Sequence, residues 1–228
     1  MKPLTLKTED QDSLQTLGRA SAQIVHDLKN QLNGLKLYAT FLRKRMEKGD
    51  RPQDEHETVA KLLAGLERAA SDLSTLTQFG RPIELKRQQG VDLQKIMRSV
   101  AASLAEPGRV TGPLTGQLTI ESTPGSVVGE FDPVMLADAL RAISIGALKS
   151  RQLKDRGLPL QVRITRDETA RTAVIEFLGL DSLDHDPFAA FAGSDEIRMS
   201  LAAKVVGAHG GTAKHQHNTL RVCLPVAA

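Results

Sequence analysis

Apolar positions in the first third of the chain recur with the period of an α-helix. Leu14, Leu17, Ile24, Leu28, Leu32, Leu35, Ala39, Leu42 and Met46 follow one another at spacings of three and four, with one gap of seven. That places them along one stripe. Thr8 or Asp10 offers a cap at its start, and Gly49 with Pro52 ends the segment. A second helix is predicted from about Asp54 to Phe79. Its stripe, Val59, Leu62, Leu66, Ala69, Leu73 and Leu76, alternates strictly between three and four, which is a coiled-coil-like seam. The link from Lys48 to Gln53 is short, so the two helices are expected to fold back as an antiparallel hairpin. One hairpin covers its stripes poorly, and pairing with a second copy makes a four-helix bundle. A homodimer through residues 8–80 is therefore expected.

Gly80-Arg81-Pro82 stops the second helix, and the pattern then becomes mixed. Asp92 caps a predicted helix from Leu93 to about Ala105, and a Gly/Pro-rich stretch follows from Pro107 to Gly116. Leu118–Ile120 and Ser126–Val128 read as short strands. Asp132-Pro133 opens a helix predicted to run to about Lys154, with Pro in the first turn. Leu160–Thr165 and Ala173–Phe177 alternate as half-buried strands. Glu196–Ala208 reads as a helix ended by Gly210-Gly211, and Leu220–Leu224 closes as a strand. Residues 90–226 thus combine helices and strands without regular βαβ alternation. The fold class is α+β.

Composition narrows the partners. Of the 228 residues, 40% are hydrophobic and 25% charged, as in a globular protein, while aromatics are 3% and Trp is absent. The net charge of +3 is spread without a long Lys/Arg block, so neither the basic stripe nor the stacking surface of a nucleic-acid binder is present. Arg43-Lys44-Arg45 is the densest basic cluster. It reads as a solvated helix end favoured by the helix dipole, or as a docking patch for an acidic partner. No apolar run reaches the ~20 residues of a membrane span, and Met1–Gln11 carries no hydrophobic signal segment. A cytoplasmic location is expected. The lone Cys223 cannot form an internal disulfide and reads as a buried thiol.

The segment richest in chemistry is Ile24-Val25-His26-Asp27-Leu28-Lys29-Asn30-Gln31-Leu32-Asn33. With Ile24, Leu28 and Leu32 on the seam, His26 turns outward and shares one ridge with Asn30 and Asn33. A neutral imidazole keeps a lone pair for nucleophilic attack near neutral pH. The neighbouring Asp27 can hold the other ring N–H. Asn30 can orient a water or a phosphoryl oxygen, and Lys29 can help neutralise phosphate. On spacing alone, an exposed His beside an Asp is also ordinary helix surface. Elsewhere, His209 before Gly-Gly reads as packed at a helix end, and His56 as exposed. His215 and His217 alternate in a predicted hairpin on one side, as a solvated turn or as half of a metal site lacking a third ligand. No metal site is expected.

His26-Asp27-Leu28-Lys29-Asn30 resembles the H-box of two-component histidine kinases, and its setting, in the first helix of a hairpin ahead of an α+β domain, is similar too. The resemblance covers roughly residues 10–226. It implies that the hairpin is a dimerisation and histidine-phosphotransfer domain, followed by an α/β sandwich resembling the family's ATPase domain. It implies further that His26 is the phosphoryl acceptor, Asp27 its acid/base partner, and Asn30 the residue that places water in phosphatase action. The closing segment, Ala208-His209-Gly210-Gly211 followed by a strand to Leu224-Pro225, is similar as well.

The family's ATP motifs are not matched. Its two Asn, ten and fourteen positions after the helix-opening Asp, fall on Ala142 and Gly146, and neither offers an oxygen to Mg²⁺. The Asp that reads adenine falls most naturally on Gly179; Asp181 or Asp184 could substitute only by a shift in register, and no Gly-x-Gly follows. The second glycine motif falls on Glu196-Ile197-Arg198-Met199, where Glu196 would repel phosphate at a helix N-terminus. Phe188 and Phe191 resemble the pair beside the family's ATP lid. The expectation is therefore a phosphorelay histidine phosphotransferase that passes a phosphoryl group between His26 and the aspartate of a response-regulator receiver. It would bind no cofactor of its own. Mg²⁺ would sit on the receiver, and an upstream histidine kinase would be a further partner. A divergent active kinase and a non-catalytic pseudokinase scaffold are the alternatives.

Overall fold

The helices Leu93–Ala105 and Pro133–Lys149 each begin where a carboxylate, of Asp92 or Asp132, meets the first free amides. In the computed structural model the described residues are 25, 28–30, 32–44, 46–47, 53–106, 118–123, 125–151, 158–181, 186–189 and 194–226. The chain divides into two compact units, Met1–Pro82 and Ile83–Ala228.

In the first unit, residues 32–44 form helix α1, with 25, 28–30 and 46 also helical. Helix α2 spans Gln53–Gly80. Lys36 on α1 pairs with Glu67 on α2 at 2.8 Å, and this hydrogen bond, with the lysine's charge, holds the Glu67 carboxyl below its ordinary range. Ala39 and Leu63 are buried. On α2, Val59, Leu66, Ala69, Leu73 and Leu76 of the seam drawn from periodicity are half-buried, but Leu62 is exposed and Leu63 takes the inner place. Leu28, Leu35 and Leu42 are also exposed within a single chain. His56 is half-buried rather than exposed.

The second unit is built on a five-stranded sheet in the order β2-β4-β5-β7-β6 and a two-stranded sheet of β1 and β3. The strands are β1 Gln88–Asp92, β2 Leu118–Ser122, β3 Val128–Phe131, β4 Leu160–Asp167, β5 Thr172–Leu178, β6 Thr212–Gln216 and β7 Thr219–Pro225. β2 and β4 are parallel; the other pairings are antiparallel. Three helices, α3 Leu93–Ala105, α4 Pro133–Lys149 and α5 Ser194–Ala208, complete the unit. Their inward residues, among them Met97, Leu140, Ile143, Ala202 and Val206, form one core with Val162, Ile164, Ile175, Phe177, Leu220 and Val222. Alternation sends the intervening strand positions to the other face. There Glu121, Arg163, Glu176, Arg221 and Lys214 stand opposite one another across all five strands. The unit is α+β, with its helices gathered on one side of a mainly antiparallel sheet.

Several boundaries differ from the sequence reading. β3 begins at Val128, not Ser126, because Gly125 turns at φ +96 and the Val127 carbonyl accepts from Leu93 N–H instead. α4 ends at Lys149, not near Lys154: both the N–H and Oγ of Ser150 bond to the Gly146 carbonyl, and the buried Arg151 donates to the Leu158 carbonyl at 2.7 Å. β1 was not expected, and β6 was expected only as an arm, without bounds, of the hairpin holding His215. Cys223 is half-buried, not buried, because Val222 and Leu224 on either side face the core. His217 lies in the β6–β7 turn at φ 53, so strand alternation does not align it with His215. The Gly/Pro-rich stretch of 107–116 lies outside the described residues.

Candidate functional site

Two regions hold the chemistry expected from the sequence, and each belongs to its own unit. In the first, His26 and Asp27 lie outside the described residues. Of their neighbours, Lys29 is half-buried, and Asn30 and Asn33 are exposed. Further along α1, Leu37 is 55% exposed, and Phe41 one turn on is 62% exposed.

In the second unit two of the stretches placed on the ATP motifs, one on α4 and one on α5, meet at the α4–α5 junction. Gly146 is buried, and a Cβ built on it would overlap Sδ of Met199 on α5. The glycine therefore permits the close approach of the two helices. No larger residue fits without moving Met199. Ala142, one turn earlier on α4, packs against the core. Beyond Gly146, Lys149 donates to both carboxylate oxygens of Asp195 at 2.7 Å. Arg198 adds a longer contact to the same carboxylate, 3.6 Å. Asp195 and Glu196 occupy the first turn of α5, where carboxylates suit the positive end of the helix dipole. Acidic side chains of the chain itself thus stand at the amides that would otherwise attract an anion.

Gly179 adopts φ +74, a conformation that a side-chain-bearing residue such as Asp enters only with strain. Its neighbours are tied into the loop: Leu180 N–H donates to the Asn218 carbonyl and Asp181 N–H to that of Ser150, both at 3.0 Å. Phe188 is buried; Phe191 lies outside the described residues.

A third feature joins residues the sequence reading kept apart. Asp132 caps α4 through Oδ1, which accepts from Val134 and Met135 N–H, while Oδ2 accepts from Lys86 N–H at 2.8 Å. Burial pushes this carboxyl up, and the three backbone hydrogen bonds outweigh it to leave the group below its ordinary value. His209, 1% exposed, accepts from Asp132 N–H through Nε2 at 3.0 Å, and its Nδ1 lies 2.8 Å from the Val205 carbonyl. These partners define the neutral tautomer with the proton on Nδ1. The ring also packs on Phe131, 5.8 Å between centroids. Burial pushes the His209 pKa below its ordinary value. Lys149, Asp195 and Met199 were missed in the sequence because their contacts join positions about fifty residues apart with no shared motif.

No protein-family profile matches the chain, and no curated protein sequence matches it. Solved structures do. Full-length ShkA, crystallised with AMPPNP, superposes with a TM-score of 0.63 at 18% identity, over 91% of this chain and 45% of that one. The histidine kinase ThkA, in complex with the response regulator protein TrrA, gives 0.61 at 15% identity over 95% of this chain and 64% of its own. The Acinetobacter baumannii histidine kinase AdeS gives 0.53 at 13% identity, over 89% and 98%. This chain therefore spans less than half of ShkA and about two thirds of ThkA. The fold is that of a two-component histidine-kinase core. Among the described residues no helix is long and apolar enough to cross a membrane.

Proposed function

We propose that this chain is a histidine phosphotransferase of a phosphorelay, working without ATP of its own. The observation that carries the reading is the contact of Gly146 with Met199. At the position where the kinase pattern needs a metal-binding side chain, the backbone of α4 is covered by α5. The ion pair of Lys149 with Asp195 and the left-handed Gly179 support it.

On this reading His26 attacks the phosphorus of a receiver's aspartyl phosphate in line. The bond from phosphorus to the aspartate oxygen breaks as the bond to a ring nitrogen forms, and the carboxylate leaves. Asp27 holds the remaining ring N–H and stabilises the charge that develops on the imidazole. Mg²⁺ belongs to the receiver, and transfer runs equally in reverse. Lys29 adds weak neutralisation of phosphate charge. Asn30 orients a phosphoryl oxygen, or a water when the phosphate is hydrolysed. The exposed Leu37 and Phe41 supply apolar surface for receiver docking. The exposed Leu28, Leu35 and Leu42, seven residues apart, form a seam for a second copy in an antiparallel four-helix bundle.

Incubation with labelled ATP is expected to leave the protein unlabelled. A phosphorylated receiver is expected to label it, and His26→Ala to abolish the label. Saturable ATP binding in the micromolar range with Mg²⁺ would turn the assignment to a divergent active kinase. Absence of label from any receiver, with signalling intact in His26→Ala cells, would turn it to a scaffold.

A further inference from the structure

Residues 83–87 enter the second unit as a strap with no helix or strand of their own. They are held at three points. Ile83 packs against the core. Lys86 N–H donates to Asp132 Oδ2 at 2.8 Å. The Arg87 guanidinium donates to the carbonyl of Ala208, the last residue of α5, at 2.9 Å. The residue after Ala208 is His209, whose Nε2 accepts from Asp132 N–H. Strap, α4 cap and α5 terminus thus meet in one hydrogen-bonded joint around the Asp132 backbone and carboxylate.

We propose that this joint is a pH-sensitive latch: protonation of His209 releases residues 83–87 from the second unit. The proton comes from solvent and binds Nε2, whose in-plane lone pair now accepts from Asp132 N–H; Nδ1 already carries a hydrogen. Nε2 then carries a hydrogen and faces the Asp132 N–H donor to donor, so the bond between them is lost. The imidazolium is now a charged donor attracted electrostatically by the Asp132 carboxylate, whose present partners are Lys86 N–H and the first turn of α4. A charge-assisted bond to the imidazolium is the stronger of these, and Oδ2 leaves Lys86.

The groups around the ring define the response. Asp132 at the head of α4 favours the charged form. Arg87 on the strap disfavours it. β3 presents the uncharged Phe131 ring, and α5 the Val205 carbonyl, which accepts from Nδ1 in either state. With burial added, the group stays neutral until the solution is more acidic than its ordinary titration point. Release lengthens the tether from α2 by five residues, about 17 Å when extended. The latch does not depend on the function proposed for His26.

Amide hydrogen exchange on the full chain tests it, from about pH 8 to about pH 5 and corrected for the intrinsic effect of pH. The amides of Lys86 and Asp132, whose acceptors are the ones lost, are expected to lose roughly tenfold or more in protection together on the acid side, while Ile175 in β5 keeps its own. His209→Gln retains an acceptor near Nε2 and takes up no proton, so its Lys86 and Asp132 amides are expected to stay protected. Identical profiles in the two proteins would overturn the proposal. So would loss of Ile175 protection in step with Lys86, because that is unfolding of the whole unit. Should His209→Gln not fold, the wild-type His209 ring is titrated by NMR. Its midpoint is expected to coincide with that of the Lys86 amide, and separate midpoints overturn the latch.

Discussion

The Nε2 atom of His209 accepts a hydrogen bond from the backbone N–H of Asp132, 77 residues away in sequence and 3.0 Å away in space. The bond exists only while the ring is neutral. That links the cohesion of the α4–α5 junction to acidity.

Stability of the second unit is expected to fall below pH ~6.5. Burial depresses the His209 pKa below 6.5 in the folded state, so in mild acid the unfolded chain binds a proton that the native chain does not. The contribution of His209 is complete above its unfolded value and is lost as pH falls toward the folded one. Asp132, lowered from 3.8, adds a second loss only in stronger acid. Urea unfolding of the full chain at a series of pH values checks this: His209→Gln should flatten the profile between pH ~5 and ~7.

The two carboxylate caps are expected to differ in weight. Asp92 accepts from Gln94 and Lys95 N–H within its own helix, so Asp92→Ala should cost about 1 kcal/mol. Asp132→Ala removes a cap and also strands the distant Lys86 N–H; a loss of about 2–3 kcal/mol is expected. Denaturant midpoints of the two variants, at equal m-value, decide the order.

Gly146→Ala is expected to destabilise the chain by about 1–3 kcal/mol despite the better helix propensity of Ala, because the new methyl meets Met199. Gly146→Ala combined with Met199→Ala should recover part of the loss. A double-mutant cycle showing no coupling between the two sites would refute the packing argument.

Leu35→Glu and Leu42→Glu are expected to shift a homodimer toward monomer with little effect on the second unit, since both leucines are over half exposed within one chain. Sedimentation velocity reads the change. A wild-type monomer at all concentrations would remove the second copy from the proposal.

Local signals in the sequence anticipated much of the second unit. Asp92 and Asp132-Pro133 announced the starts of α3 and α4, and Gly210-Gly211 the end of α5, because caps and glycine turns act over three or four residues. Alternation announced β4, β5 and β7. The bounds of β1 and β6 were not legible: β1, Gln88–Asp92, holds one large apolar residue, Val91, and β6, Thr212–Gln216, none. They exist as strands because β3 and β7 offer them hydrogen bonds. On α2, strict periodicity favoured Leu62, yet Leu63 is the buried residue, since a stripe defines a side of a helix and the neighbouring helix selects the line of contact.

The candidate site divides the same way. The sequence by itself determined that Ala142, Gly146 and Gly179 carry no side-chain oxygen, because side-chain chemistry is written residue by residue. Only the tertiary structure decided what stands there instead: Met199 over Gly146, Asp195 on Lys149, and His209 against Asp132. Each of these contacts joins residues about fifty or more positions apart, brought together by α4 and α5 packing on one sheet face, and no local pattern encodes such a meeting.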